Sequence, residues 1–224
     1  MPKKPLDKRV ASVFFDCDST LTRLEGIDEL ALGATPDAAA AVARLTREAM
    51  EGRTTLEEVY GRRLAAIRPS REAVHELGHR YVATLVAGAR ETVAALLERG
   101  IVVGIVSGGL TPAVRAVGTA LGIAPRDVHA VDVFFDDAGN YVAFDEESPL
   151  AQSGGKLEVL RRPGLAPRPL CFVGDGVTDL EAASVVDVFV GYGGVTRRER
   201  VAREASYYLE GPDLRALLDL PPFR

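Results

Sequence analysis

No run of apolar residues approaches the roughly 20 that a membrane-spanning helix needs, although 47% of the 224 residues are hydrophobic. That apolar content is therefore available for a sizeable core, in one large domain or in a core with a small accessory domain. Cysteine is scarce. Cys17 and Cys171, the two present, both lie in apolar, strand-like segments. This favours a reduced, cytoplasmic protein, with one disulfide left open. An excess of positive charge is missing too. The net charge of −5 argues against a general nucleic-acid surface. There is no internal repeat and no low-complexity linker. Met1 to Val10 is short and basic and lacks the apolar stretch of a secretory signal, so it is expected to be a disordered lead-in.

What is present is an alternation of strands and helices. Val10 to Phe15 is a continuous apolar run ending in Asp16-Cys17-Asp18, which reads as a buried parallel strand. From about Glu25 to Ala87 the pattern is helical and uninterrupted by strands. Pro36 can open a helix over Asp37 to Met50, Thr54 and Thr55 can cap the next, and Ser70 another. Ala89 to Arg99 reads as a helix stopped by Gly100. Ile101 to Val106 is a second strand, ending in Ser107-Gly108-Gly109, and Thr111-Pro112 predicts a capped helix start. Val131 to Phe135 and Tyr141 to Phe144 flank a turn-rich Asp136 to Asn140 and suggest a hairpin. Leu157 to Arg162 is a short helix, and Leu170 to Val173 and Val185 to Val190 are the third and fourth buried strands. The pattern predicts an α/β fold with a Rossmann-like, doubly wound, mostly parallel sheet. The helical region interrupts that core as an insertion. The expected division is a discontinuous core over 1–20 and 87–224, with a small helical-bundle domain over 21–86.

In such a sheet, ligands bind beyond the carboxyl ends of the strands. The unusual polar residues fall there: Asp16 and Asp18 after the first strand, Ser107 after the second, Asp175 and Asp179 after the third, and Lys156 at a helix start just before the third. Together they offer carboxylates for a metal, donors for an anion, and a carboxylate free to act as nucleophile or acid/base. If strand geometry persists, Asp16 and Asp18 point to the same side. Two such carboxylates repel, and a divalent cation or a proton relieves the repulsion. Oxygen ligands of this kind suit Mg²⁺. Two other motifs fail by position, and a third fails on its surroundings. An EF-hand opening at Asp16 would need Gly and Glu where Leu21 and Ile27 stand. Gly154-Gly155-Lys156 is followed by Leu157 rather than Ser or Thr, and Leu150 stands where a phosphate-binding loop has its first Gly. His75-Glu76-Leu77-Gly78-His79 matches a zinc pattern, but Gly78 weakens the helix and no third histidine follows nearby. It reads as a surface helix.

Four segments occur in a fixed order: Phe15-Asp16-Cys17-Asp18-Ser19-Thr20-Leu21, Val106-Ser107-Gly108-Gly109, Gly155-Lys156, and Gly174-Asp175-Gly176-Val177-Thr178-Asp179. This set resembles the signature of the haloacid dehalogenase (HAD) superfamily. Glu25 to Leu30, Arg47 to Gly52, Arg63 to Pro69, Ser153 to Lys156 and Gly191 to Gly194 are similar to segments of its phosphoserine phosphatases. The resemblance runs from about Val10 to Leu218. Thr178 stands where some members carry Asn, and both donate a hydrogen bond.

The resemblance implies a HAD fold with a helical cap, and a Mg²⁺-dependent hydrolysis of O-phospho-L-serine as the last step of serine biosynthesis. It implies that Asp16 is the nucleophile and Asp18 the general acid/base. Ser107, Gly108, Lys156 and Thr178 would bind the phosphoryl group. Asp16, Asp175 and the Asp18 backbone carbonyl would hold Mg²⁺, with Asp179 supporting from behind. Glu25, Met50 and Arg63 would read the serine moiety. The expected partner is a small molecule, with no nucleic acid and no membrane, and the chain a monomer or homodimer. Two other readings remain: a related phosphatase or phosphotransferase for another small phosphomonoester, and a non-catalytic phosphate-binding protein.

Overall fold

A computed structural model describes residues 9–50 and 56–224, without the side chains of 46–50 and 56. The expected lead-in over 1–8 and the caps Thr54 and Thr55 lie outside the described residues. The chain opens with β1 (Ser12–Phe15), buried along its whole length. There follow α1 (Gly26–Leu32), α2 (Pro36–Met50), α3 (Leu56–Ile67) and α4 (Arg71–Ala83), the last capped by Ser70, whose side chain accepts from the Ala73 N–H. Then come α5 (Ala89–Glu98), β2 (Val102–Leu110), α6 (Thr111–Leu121), β3 (Val128–Val131), β4 (Val133–Phe135), β5 (Tyr141–Phe144) and α7 (Gly155–Arg161). The chain ends with β6 (Leu170–Gly174), α8 (Val177–Glu181), β7 (Val188–Tyr192), α9 (Glu199–Glu204) and β8 (Tyr207–Leu209). Among the described residues no helix is long and apolar enough to cross a membrane.

Six strands form one parallel sheet in the order β3-β2-β1-β6-β7-β8, and β4 and β5 pair as a separate antiparallel hairpin. β1 is central because Val13, Phe14 and Phe15 are apolar on both faces and fully buried. The doubly wound α/β reading therefore stands, with two edge strands, β3 and β8, beyond the four that the sequence suggested. Val131 ends β3 rather than opening the hairpin. The last predicted strand starts later than expected, at Val188, because Asp187 terminates a loop: its N–H donates to the Leu170 carbonyl and its carboxylate accepts from the Leu170 N–H. Thr111 is not a cap. It is the first residue of α6, the capping position is Leu110, and the buried Thr111 hydroxyl has no hydrogen-bond partner.

The helical insertion is tied to the hairpin at several points. Arg68 Nη2 donates to the Tyr141 carbonyl at 3.1 Å, and Arg71 Nη2 to the Asp136 carbonyl at 2.8 Å. Tyr60 and Phe144 pack with ring centroids 5.2 Å apart. α4 also lies against α6. Cys17 and Cys171 are free and buried. β1–β6 register pairs Val13 with Cys171, which places Cys17 four residues further along.

Candidate active site

The register of the parallel sheet assembles the site. Phe15 pairs with Ile105 on one side and Val173 on the other. The residues that follow these positions therefore emerge together at the carboxyl edge. They line a cleft of about 220 Å³. Asp16, Asp18, Glu25, Arg63, Ser107, Gly108, Lys156, Asp175, Thr178 and Asp179 all border it, so every predicted site residue with a described side chain is brought to one place. Met50 ends α2, and its side chain lies outside the described residues.

Asp16 is 6% exposed. Its Oδ1 accepts from the Cys17 N–H at 2.7 Å and its Oδ2 meets Lys156 Nζ at 2.8 Å. The same ammonium reaches Asp179 Oδ1 at 2.6 Å. Burial works to lower the Lys156 pKa, but the two carboxylates outweigh it and hold the ammonium charged. Asp179 is fully buried, and its second oxygen accepts from the Gly176 N–H at 2.8 Å. Gly174 makes room for it: a Cβ there would stand 2.3 Å from Asp179 Cγ. Burial raises the Asp179 pKa, with Lys156 opposing.

Asp175 accepts from Thr20 Oγ1 at 3.2 Å and from Arg198 Nε at 3.1 Å. Burial, then the Asp16 and Asp179 charges, push its carboxyl up to about 7 against the pull of Arg198. Asp18 reaches the cleft by a different route from the one predicted. Strand geometry stops at Phe15, and the chain then turns tightly, with the N–H groups of Thr20, Leu21 and Thr22 all donating to the Cys17 carbonyl and Ser19 at a φ of 52°. In that turn Asp18 Oδ1 accepts from Tyr81 Oη at 2.6 Å and Oδ2 from the Gly26 N–H at 2.7 Å. Burial, then the Glu25 and Asp16 charges, raise its pKa to about 7.

Glu25, also bordering the cleft, accepts from Ser19 Oγ at 2.6 Å, and burial raises its pKa. Arg63 pairs with Asp28 through Nη2, while its buried Nε has no partner. Ser107 Oγ accepts from the Gly109 N–H at 3.1 Å, which leaves the hydroxyl proton free to point toward an anion.

Asp16, Asp175 and Asp179 each present a ligand oxygen, all within 4.8 Å of one another and buried. Five carboxylates line the cleft against three cationic side chains, Arg63, Lys156 and Arg198. The excess negative charge and the hard oxygen donors fit a divalent cation. His75 and His79 sit exposed on α4, and among the described residues they belong to no metal-binding group.

Residues 10–187 match the family model of haloacid dehalogenase-like hydrolases. The chain belongs to that family. This hydrolase is 40% identical to the phosphoserine phosphatase of Mus musculus over 200 residues, 88% of each chain. It is 39% identical to that of Homo sapiens over 201 residues, again 88% of each. A solved structure described as a phospho-aspartyl intermediate analogue of phosphoserine phosphatase superposes with a TM-score of 0.74. That structure is 28% identical and the match covers 95% of this chain and 99% of the other.

The sequence reading did not single out Arg198, Tyr60, Tyr81 or Thr20, all of which touch the site. Thr20 lay inside the first motif. Arg198 follows β7, and its position past a strand end was the available signal. Tyr60 precedes Arg63 by one helical turn, so the two share a face of α3.

The raised carboxyls make a pH prediction. In an unfolded chain Asp18 and Asp175 titrate near 3.8, against about 7 here. Carboxyls raised on folding stabilise the fold fully below the unfolded value, and that stability is lost as pH rises through the folded value. Metal-free protein should therefore unfold at a lower temperature at pH 8 than at pH 5, by several degrees. Millimolar Mg²⁺ should raise the midpoint more at pH 8, where protons no longer compete. An equal or larger Mg²⁺ effect at pH 5 would count against a carboxylate cation site.

Proposed function

We propose that this hydrolase is a Mg²⁺-dependent phosphoserine phosphatase, converting O-phospho-L-serine to L-serine and phosphate. The observation that carries the reading is the mixed chemistry of the cleft lining. Asp16, Lys156 and Ser107 are suited to a phosphoryl group. Glu25 offers an acceptor for an ammonium, and Arg63, whose unpartnered Nε is a donor, suits a carboxylate. The 40% identity to a phosphoserine phosphatase supports the same substrate.

In this reading Asp16 attacks phosphorus. The Asp16 O–P bond forms as the P–O bond to serine breaks, and Asp18 gives its proton to the departing serine oxygen. Asp18 then takes a proton from the water that attacks the aspartyl-phosphate, releasing phosphate. A pKa of about 7 lets one carboxyl serve as acid and then as base near neutrality. Tyr81 and the Gly26 N–H orient it. Lys156, the Ser107 hydroxyl, the Gly108 N–H and Thr178 receive the phosphoryl oxygens. Asp16, Asp175 and the Asp18 backbone carbonyl would hold Mg²⁺, supported by Asp179, and the ion would supply further positive charge to the phosphoryl group. Residues 21–86 act as the cap. The scarcity of cysteine supports a reducing, cytoplasmic setting.

The test is phosphate release from a panel of small phosphomonoesters, with Mg²⁺ and with EDTA, by the parent and by Arg63→Ala. The parent should prefer phosphoserine and require the metal. Arg63→Ala should cost about 100-fold in kcat/KM on phosphoserine, as expected for losing a buried charged partner, and far less on p-nitrophenyl phosphate. Equal losses on the two esters would remove Arg63 as the carboxylate reader. Release from neither would favour a phosphate-binding protein.

A further inference from the structure

The Tyr60 hydroxyl donates to the Gly108 carbonyl at 2.9 Å, and its ring packs on Phe144. That carbonyl belongs to the peptide joining Gly108 to Gly109. The same peptide's N–H, on Gly109, donates to Ser107 Oγ at 3.1 Å. Both polar ends of one peptide are therefore held, one by helix α3 of the insertion and one by a side chain that borders the cleft. The peptide lies between two glycines, which leave it free to rotate unless hydrogen bonds fix it. Rotation would withdraw the Gly109 N–H from Ser107 Oγ and release the orientation of the Ser107 hydroxyl.

We infer that Tyr60 is a positioning residue for phosphoryl binding, acting through the Gly108–Gly109 peptide to aim the Ser107 hydroxyl. The inference rests on the proposed role of Ser107 in holding the phosphoryl group, and not on the identity of the ester. Tyr60 lies one helical turn before Arg63, so the hydroxyl also makes the helix that carries Arg63 a support of the phosphate loop.

Tyr60→Phe removes the hydroxyl and keeps the ring against Phe144. With phosphoserine and with p-nitrophenyl phosphate alike, kcat should fall about tenfold and KM less than about twofold, a smaller loss than that of deleting an oxyanion donor outright. In a Ser107→Ala background the same substitution should have almost no further effect, because the residue it acts through is gone. The amide hydrogen of Gly109 should exchange faster in Tyr60→Phe, a readout that needs no turnover. Unchanged kcat, an undiminished tenfold loss in the Ser107→Ala background, or an unchanged Gly109 exchange rate would each overturn the inference. The aryl ester keeps the outcomes separable. If phosphoserine is not the substrate, turnover of phosphoserine fails in the parent, while the Tyr60 effect is still read on p-nitrophenyl phosphate.

Discussion

Asp16→Asn should reduce phosphate release by at least about 10⁴-fold, with no phosphoenzyme trapped by acid quench, because the amide is no substitute for a carboxylate nucleophile. The substitution is nearly isosteric. An asparagine oxygen can still accept from the Cys17 N–H, as Asp16 Oδ1 does at 2.7 Å. Lys156 loses one carboxylate but keeps Asp179 at 2.6 Å. The fold should therefore survive, with an unfolding midpoint within a few degrees of the parent, so that lost activity reports chemistry. Asp16→Asn turning over within tenfold of the parent, or forming an acid-stable phosphoenzyme, would show that another residue attacks phosphorus.

Lys156→Met should damage both stability and rate. The parent ammonium bridges two carboxylates that are almost wholly buried. Methionine fills a similar volume without charge and leaves Asp16 and Asp179 facing each other. Removing one partner from a buried ionic cluster costs about 3–5 kcal/mol, a large part of the roughly 5–15 kcal/mol that holds a domain folded. The deficit should depend on pH. Lys156 opposes protonation of Asp179, so without the ammonium Asp179 binds a proton more readily in the folded state, and the loss should be smaller at pH 5.5 than at pH 8. Denaturant midpoints at the two pH values measure it, and kcat should fall about 10²–10³-fold for the lost phosphoryl donor. A deficit of the same size at both pH values would mean that the carboxylates do not repel as described.

These residues could be found in the sequence because parallel strands buried on both faces leave an unmistakable trace. The runs before Asp16, Ser107 and Asp175 are continuous and apolar, and the polar residue at the end of each stands out. Edge strands leave no such trace. β3 contains His129 and is only half buried in its middle, and β8 is three residues long. Periodicity has little to grip in either. Asp18 borders the cleft through a turn stabilised by the Cys17 carbonyl, not through the strand alternation that the sequence predicts. Thr111 shows the limit of cap signals: Thr-Pro marked the start of α6, but β2 runs directly to Leu110 and leaves no separate capping residue. Tyr81 left no trace for a further reason: it reaches Asp18 from 63 positions away. No local pattern encodes such a meeting.

The central place of β1 also governs the order of assembly. Its partner β6 lies far along the chain, and Thr20 meets Asp175 across 155 positions. Closing so long a loop is an entropic barrier that local helix formation does not face. As the chain leaves the ribosome, the insertion helices can form while Asp16 still lacks Lys156, Asp175 and Asp179. The acids gather only after β6 docks beside β1, so the nascent chain acquires its clustered charge late, together with the ammonium that offsets it.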